Sequence, residues 1–131
     1  MATGEVMRRY LDAARAMDWE AAFGCFAEDI ALRIPGRSEF AGEFRGRDVA
    51  RRYIEEARAR SHDAEVELEV IDTLLSDERF CLVVIERFRA GGQVVEIRRA
   101  NLYRVRDDEI AEIWIFEGDQ YAVDALFAAR A

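Results

Sequence analysis

The residues best suited to chemistry lie in the stretch 94–119, VVEIRRANLYRVRDDEIAEIWIFEGD, where two strand-forming runs flank a pair of aspartates. This pattern predicts a long β-hairpin with a two-residue turn, in which Arg106 pairs with Glu109. Because side chains alternate along a strand, an unbroken register sets six of them on one face. They are Tyr103 opposite Glu112, Asn101 opposite Trp114, and Arg99 opposite Phe116. A face that mixes a guanidinium, an amide, a phenol and a carboxylate with two aromatics is typical of a ligand cavity.

The preceding hairpin brings another charged group to the same face. The glycine pair 91–92 is a strong turn signal, and its register places Val84 beside Arg99 and Glu86 beside Ile97. Glu86 and Arg99 then lie diagonally across neighbouring strands and can form an ion pair. Three interpretations remain open: a structural pair, a functional pair in a pocket, or an Arg99 that holds a carboxylate or enolate of a ligand.

Two further candidates come from the helices. Tyr10 lies on the apolar face of an N-terminal helix, where its phenol could stabilise negative charge on a substrate oxygen or simply bond a buried carbonyl. Asp119 precedes the last predicted helix, so it could be the N-cap of that helix or a general base whose pKa is raised by burial.

The elements that must position these residues follow from hydrophobic periodicity. Helical spacing predicts one helix over residues 3–17, a second that starts after the cap Asp18 and includes Phe26, and a third over residues 48–60. Period-two spacing predicts strands at 30–34, 66–74 and 80–89 besides the hairpin, with a loop or short hairpin at 37–46 that contains Phe40 and Phe44. A terminal helix runs through Phe127.

This order of elements predicts one α+β domain over residues 1–131, with helices gathered on one face of a long antiparallel sheet. A strongly bent sheet with a helix across it forms a cone, and a pocket should lie between sheet and helices. At 131 residues the chain is long enough to bury a single hydrophobic core.

Charge and composition exclude several functions. The net charge of −8 argues against nucleic acid or an anionic membrane surface as a partner. No lysine is present, which excludes Schiff-base chemistry. Cys25 and Cys81 lie in apolar surroundings without CxxC spacing, and they predict reduced residues in a cytoplasmic protein. His62 is the only histidine, in a polar break beside Asp63, so no metal site is predicted.

Three segments resemble the nuclear-transport-factor-2-like superfamily, and within it the SnoaL-like group of polyketide cyclases and ketosteroid isomerases. They are RRYLDAARAMDWEAAFGCFAEDI, FRGRDVARRYIEEA and NLYRVRDDEIAEIWIFEGD, and the resemblance covers nearly the whole chain. It implies a cystatin-like, cone-shaped roll in which helices pack on a strongly curved antiparallel sheet and enclose a pocket. It also implies a small hydrophobic ligand of the polyketide or steroid kind, and no cofactor.

The ketosteroid isomerases suggest roles for two residues. Tyr10 matches the tyrosine that donates to the developing enolate, and Asn101 falls where their carboxylic-acid donor lies. Their proton-shuttling aspartate precedes a proline, whereas this chain has Ile34-Pro35 there.

Two other enzyme types resemble parts of the final hairpin. SnoaL-type cyclases match Trp114 and Asp119, but Ile113 stands where their histidine is expected. Limonene-epoxide-hydrolase-type enzymes use an Asp-Arg-Asp constellation, and Arg99 with Asn101 resembles its Arg-x-Asp strand with an amide in place of the acid.

These comparisons leave three hypotheses of function. In a cofactor-independent isomerase or cyclase, Tyr10 and Asn101 would hold an enolate, Arg99 would orient an anionic group, and Asp119 or Glu86 would move the proton. The alternatives are a non-catalytic ligand-binding or accessory module, and an epoxide-hydrolase-like enzyme with an altered Asp-Arg-Asp site. In each case the ligand would contact the predicted pocket wall, made of Trp19, Phe23, Ile34, Tyr53, Phe88, Arg99, Tyr103, Trp114 and Phe116.

The opposite face of the central strand carries Arg98, Ala100, Leu102 and Arg104, an apolar centre bordered by arginines. Related folds commonly dimerise through this convex face of the sheet. The sequence therefore predicts a homodimer.

Overall fold

The computed structural model describes residues 2–38, 41–60, 65–90 and 92–128, which form helices and strands in close agreement with the predicted order. In chain order the elements are α1 (Thr3–Arg15), α2 (Trp19–Phe23), β1 (Phe26–Ile34), β2 (Gly42–Arg45), α3 (Arg47–Arg60), β3 (Glu65–Leu75), β4 (Arg79–Ala90), β5 (Gln93–Arg106), β6 (Glu109–Glu117) and α4 (Gln120–Ala128). Three predictions concern residues outside these ranges: the loop at Phe40, the polar break at His62 and the turn at Gly91.

The strands form one sheet in the order β2-β1-β6-β5-β4-β3. All neighbouring strands are antiparallel except β1 and β6, which run parallel. The sheet is curved and the helices pack on it, so the predicted α+β, cystatin-like roll is confirmed. The predicted strands at 66–74 and 80–89 and the final hairpin form a continuous antiparallel meander, β3 to β6, and β1 joins the N-terminal half of the chain to its last strand.

One large hydrophobic cluster holds the helices against the concave face of the sheet. Val6 of α1, Phe26 and Ile30 of β1, Ala50 of α3 and Ile110 of β6 are all fully buried within it. Burial of apolar surface of this kind supplies most of the free energy that opposes chain entropy. The cluster therefore fixes where α1, α2 and α3 lie over the sheet, and Val123 of α4 packs in a second, smaller cluster with Phe88 and Ile97.

The boundary between α2 and β1 differs from the prediction. Asp18 caps α2 as predicted, with its Oδ1 accepting from the Ala21 amide at 3.2 Å. The helix ends at Phe23, and Phe26 begins β1 instead of continuing the helix. Phe26 pairs with Ile110 of β6, so tertiary strand pairing overrides the local helical spacing.

The loop or short hairpin expected at 37–46 is a hairpin, since β2 pairs antiparallel with the end of β1. Phe44 on β2 packs against Tyr53 of α3, with ring centroids 4.9 Å apart. At the start of α3, Arg47 donates from Nε and Nη2 to the Phe26 carbonyl at 3.0 and 2.6 Å. These contacts tie α3 to the sheet edge and position Tyr53 over the cavity.

The hairpin of β5 and β6 starts as predicted and then departs from its expected register. Asp107 and Asp108 have φ of 51° and 65°, as a two-residue hairpin turn with left-handed residues requires, and Arg106 pairs with Glu109. The register then shifts between Arg104 and Val105. The observed pairs are Tyr103 with Ile113, Asn101 with Ile115, and Arg99 with Glu117.

This shift is a β-bulge in β6 that adds one residue. Val105 pairs with Ile110 and Arg104 with Glu112, which leaves Ala111 opposite no residue. Ile110 and Ala111 are consecutive and both buried, at 0% and 3% exposure, which a regular strand with one solvent face does not allow. Because one extra residue exchanges the two faces of a strand, each β6 side chain beyond Ala111 lies on the face opposite to the predicted one.

Candidate functional site

A cavity of about 350 Å³ lies between the concave face of the sheet and the helices, within the size range of small-molecule sites. Nine of the residues proposed from the sequence line it: Tyr10, Trp19, Ile34, Tyr53, Glu86, Phe88, Arg99, Asn101 and Tyr103. The wall also includes Ile113, Ile115 and Glu117, which the sequence interpretation placed on the opposite face. The predicted hairpin therefore does form one wall of a pocket, with different β6 residues.

Trp114 and Phe116 are corrections to the predicted pocket wall. The bulge at Ala111 turns both to the outer face of the sheet, where they are 41% and 47% exposed. Their rings stack with centroids 5.6 Å apart, and the Arg33 guanidinium lies 5.2 Å from the Trp114 ring centroid. Neither residue lines the cavity.

Phe23 and Asp119 also lie away from the cavity lining. Phe23 is buried in the core, where its ring packs 5.8 Å from that of Phe26. Asp119 is exposed, and its Oδ1 accepts from the Ala122 amide at 3.1 Å, so it serves as the N-cap of α4. Its position does not support the alternative of a buried general base.

The charged part of the cavity wall is a guanidinium held between two carboxylates. Arg99 Nε lies 2.8 Å from Glu117 Oε1, and Arg99 Nη2 donates to Glu117 Oε2 at 3.1 Å. On the other side, Arg99 Nη1 donates to Glu86 Oε1 at 3.4 Å. The predicted Val84–Arg99 and Glu86–Ile97 pairs are confirmed, and they place Glu86 beside Arg99 as expected.

Glu117 is the residue that sequence reasoning missed. Its side chain is only 3% exposed, compared with 15% for Arg99 and 20% for Glu86. Without the bulge it would face solvent, and the one sequence signal for the bulge is the adjacent apolar pair Ile110-Ala111.

Burial and charge oppose each other in this cluster. Burial raises the pKa of Glu117 above its usual value, although Arg99 lowers it, and the nearby Glu86 charge raises it further. For Arg99, burial lowers the pKa, but Glu86 and Glu117 more than offset this, so its pKa is raised and it remains a cation. With both carboxylates ionised, the three groups carry one net negative charge.

A second polar group on the wall consists of Tyr10, Tyr103 and Asn101. The Tyr10 and Tyr103 ring centroids lie 5.2 Å apart, and Asn101, two residues before Tyr103 on β5, is close enough to lower the Tyr103 pKa. Burial is the largest cause that raises the pKa of both phenols, and that of Tyr103 lies well above its usual value. Stacking against Phe80, at 4.5 Å between centroids, holds the Tyr103 ring in place.

The same group of side chains contains one hydrogen-bond acceptor that has no partner among the described residues. Within the part of the chain that the structure describes, Asn101 Oδ1 is buried and has no hydrogen-bond partner. This oxygen can therefore accept a hydrogen bond from a ligand. A buried, unpaired carbonyl costs free energy that a donor on a ligand would recover.

Tyr53 completes the polar set from the helix side. Burial raises its pKa to about 12; Arg99 lowers it, while Glu117 and Glu86 raise it. All three cavity tyrosines are therefore protonated at neutral pH and can act as hydrogen-bond donors.

The described residues offer no group of three or more His, Cys, Asp or Glu side chains placed to hold a metal ion. In the same residues, no helix is both long and apolar enough to cross a membrane.

A curved sheet covered by helices, with a mostly apolar cavity and a few convergent polar groups, defines a cone-shaped α+β pocket protein. Residues 7–113 match the model of the SnoaL-like domain, and the chain belongs to that family. The resemblance inferred from the sequence is thus confirmed.

The chain is similar to an uncharacterised protein of Mycobacterium tuberculosis, with 30% identity over 127 residues and 95% of each chain covered. Among solved structures it is similar to a Xanthomonas campestris protein of unknown function with a cystatin-like fold, at 22% identity and TM-score 0.86, covering 97% of this chain and 98% of that one. It is also similar to TerC, co-crystallised with polyporic acid, at 12% identity and TM-score 0.79, covering 95% and 96% of the two chains. At these identities the two structures show the shared fold.

Proposed function

We propose that the cavity binds a small, mostly apolar molecule of the polyketide or steroid kind. The observation that carries this proposal is the composition of the cavity wall. Apolar side chains such as Ile34, Phe88 and Ile115 surround two polar groups, the Arg99 cluster and the group of Tyr10, Tyr103 and Asn101. Such a site draws affinity from apolar burial and orientation from its few hydrogen bonds.

A cofactor-independent isomerase or cyclase is the enzyme class that this wall supports best. Tyr10 lines the cavity and stays protonated at neutral pH because burial raises its pKa, so its hydroxyl can donate to a developing enolate oxygen. Glu86 is the carboxylate suited to move a proton, because it is partly exposed and its bond to Arg99 is long, whereas both oxygens of Glu117 face Arg99. Asp119, as the cap of α4, has no part in this mechanism.

An epoxide-hydrolase-like reaction is the second candidate, and the Glu86–Arg99–Glu117 cluster favours it. A carboxylate, a guanidinium and a second acid stand in a row. Glu86 would take the proton of the attacking water molecule, the Tyr10 hydroxyl would protonate the oxygen of the opened epoxide, and Glu117 would hold Arg99 beside Glu86. If neither reaction occurs, the same wall describes a binding or accessory module.

Trp19 in the cavity wall provides a direct binding test. In a Trp114→Phe background, saturated polycyclic ketones and epoxides should change Trp19 fluorescence saturably. Ile115→Phe should narrow the cavity and weaken binding, whereas Phe116→Leu on the other face of the same strand should not. Absence of binding by every compound, or equal binding by Ile115→Phe, would contradict the proposal.

Turnover of the same compounds separates the enzymes from the binding module. Glu86→Gln should remove isomerisation or hydrolysis without abolishing binding, since it keeps the size of the side chain and removes its charge. Tyr10→Phe should slow isomerisation by about 10² or more, as loss of a donor to a developing oxyanion does. Turnover that survives both changes would exclude this mechanism.

We also propose a homodimer through the outer face of the sheet. Trp114 pairs with Leu102 and Phe116 with Ala100 across β6 and β5, and together they form an apolar surface bordered by Arg33, Arg104 and Glu112. Two copies related by a two-fold axis would bury the aromatics and match the charges at the border. Light scattering should give a dimer for the wild type and for Tyr121→Ser, and a monomer for Trp114→Glu; a monomeric wild type at micromolar concentration would exclude the dimer.

A further inference from the structure

The charges of the cavity restrict the ligand it can take. Arg99 donates to Glu117 through Nη2 and to Glu86 through Nη1, and its Nε lies 2.8 Å from Glu117 Oε1, so carboxylates flank the guanidinium on both sides. An anionic ligand would have to displace a carboxylate that is 3% or 20% exposed and would then lie close to it. The sequence-based alternative in which Arg99 holds a ligand carboxylate or enolate therefore finds no support in this geometry.

Two acceptors remain for a ligand, one on each side of Arg99. Asn101 Oδ1 is buried and unpaired among the described residues. Glu86 has Arg99 as its hydrogen-bond partner there, through one oxygen at 3.4 Å, which leaves acceptor capacity on a charged group that lines the cavity. Both acceptors call for an O–H or N–H group on the ligand.

The strand register sets the spacing of these acceptors. Glu86 lies opposite Ile97 and Asn101 opposite Leu82, with the Val84–Arg99 pair midway between them. Four residues of strand separate the two positions, roughly 13 Å between their Cα levels at about 3.3 Å per residue, and the Glu86 carboxylate extends from its own position toward Arg99. The two acceptors therefore lie at different levels of the cavity wall, an arrangement that fits a ring system with two separate hydroxyls.

We infer that the ligand is uncharged and donates hydrogen bonds: a hydroxylated polycyclic compound with O–H groups toward Asn101 and Glu86, not a carboxylic acid, sulfate or phosphate. This inference rests on the proposed binding of an apolar molecule in the cavity. The cavity wall fits such a compound because its apolar residues contact the rings and its two free acceptors meet the hydroxyls. A hydroxyl that bonds a buried acceptor should gain about 10-fold in affinity over its methyl ether, and more when the acceptor is charged.

Three matched compounds test the inference: estradiol, its methyl ether at the phenolic oxygen, and its phenolic sulfate ester. Binding is measured by equilibrium dialysis with quantification by mass spectrometry. Estradiol should bind about 10-fold or more tightly than the ether. The sulfate should bind most weakly, because it brings a second negative charge to the wall.

Variants locate the preference in the two acceptors. The double change Asn101→Leu and Glu86→Leu leaves the Arg99–Glu117 pair in place and should bring the estradiol-to-ether affinity ratio close to one. The double variant should also show a smaller difference in affinity between estradiol and its sulfate ester. Ile115→Val, an apolar change in the same wall, should keep both preferences, and circular dichroism verifies that each variant is folded.

The outcomes separate this inference from the function on which it rests. If the ether binds as tightly as estradiol, or the sulfate binds most tightly, the cavity is a hydrophobic site but the inference is wrong. A preference that persists in the double variant overturns it too. If none of the three compounds binds the folded protein, the proposed binding of a steroid-like molecule fails together with the inference.

Discussion

Replacing Arg99 by leucine should lower the free energy of unfolding by about 3–5 kcal/mol at neutral pH, the usual cost of leaving a buried charge without its partner. The magnitude follows from Glu117, whose side chain is 3% exposed and whose two oxygens lie 2.8 and 3.1 Å from Arg99 nitrogens. Glu86 adds little to the cost, since it is 20% exposed and can be hydrated from the cavity.

A second variant separates the loss of charge pairing from the loss of packing. Arg99→Leu combined with Glu117→Leu removes both buried charges, and apolar replacement of a whole buried pair is often close to neutral, so most of the lost stability should return. Arg87→Leu is the matched control. Its ion pairs with Glu69 and Glu96 involve side chains that are 27%, 48% and 45% exposed, so its loss should cost much less stability than the loss of Arg99.

Urea denaturation followed by circular dichroism measures all three variants. In the single variant, Glu117 loses the group that lowers its pKa, so the penalty should shrink as the pH falls and Glu117 becomes protonated in the folded state. The free energy of unfolding of this variant can recover by up to about 1.4 kcal/mol for each unit by which the pH falls. If Arg99→Leu costs less than the Arg87→Leu control, or the double variant is as unstable as the single one, the charge-burial reasoning is refuted.

Other predictions concern Glu117 and the two residues that follow it. Glu117→Gln should change the pH dependence of stability: because the folded-state pKa of Glu117 is raised, wild-type stability relative to the variant should fall as the pH rises from about 4.5 through that pKa, and parallel curves would contradict this. Asp119→Ala should cost about 1 kcal/mol through loss of the α4 cap, without changing ligand affinity, and weakened binding would instead restore a role for Asp119 in the site. Gly118→Ala should destabilise by about 1–3 kcal/mol in thermal or urea unfolding, since a Cβ there would lie 2.9 Å from the Arg98 carbonyl oxygen, and an unchanged midpoint would show that the backbone can move away.

The parts of the fold set by local signals could be predicted from the sequence. The Asp107-Asp108 pair and the glycine pair at 91–92 are turn signals in the sequence that indicate where each hairpin starts, so the pairing of Arg106 with Glu109 and of Val84 with Arg99 was predicted correctly. The contact between Glu86 and Arg99 followed directly from that register. Helical spacing likewise located α1 and α3 to within two residues at each end.

The composition of the β6 wall could not be predicted in the same way. Both faces of this strand are plausible linings, since Trp114 and Phe116 alternate with Ile113 and Ile115. The choice depends on the bulge at Ala111, and its one sequence signal, the adjacent apolar pair Ile110-Ala111, is too weak to place an extra residue in the strand. The end of α2 was missed for a related reason, because the partner of the next strand lies more than eighty residues further along the chain.

The bulge at Ala111 also affects how relatives of this chain are aligned. A gap placed one position too early or too late in this strand assigns the residues of the outer surface to the cavity and those of the cavity to the surface. Two relatives that align well on both sides of the bulge could then appear to have exchanged an aromatic pocket for an acidic one, when their pockets are in fact the same. Transfer of ligand-binding residues between these proteins should therefore begin by locating the bulged residue.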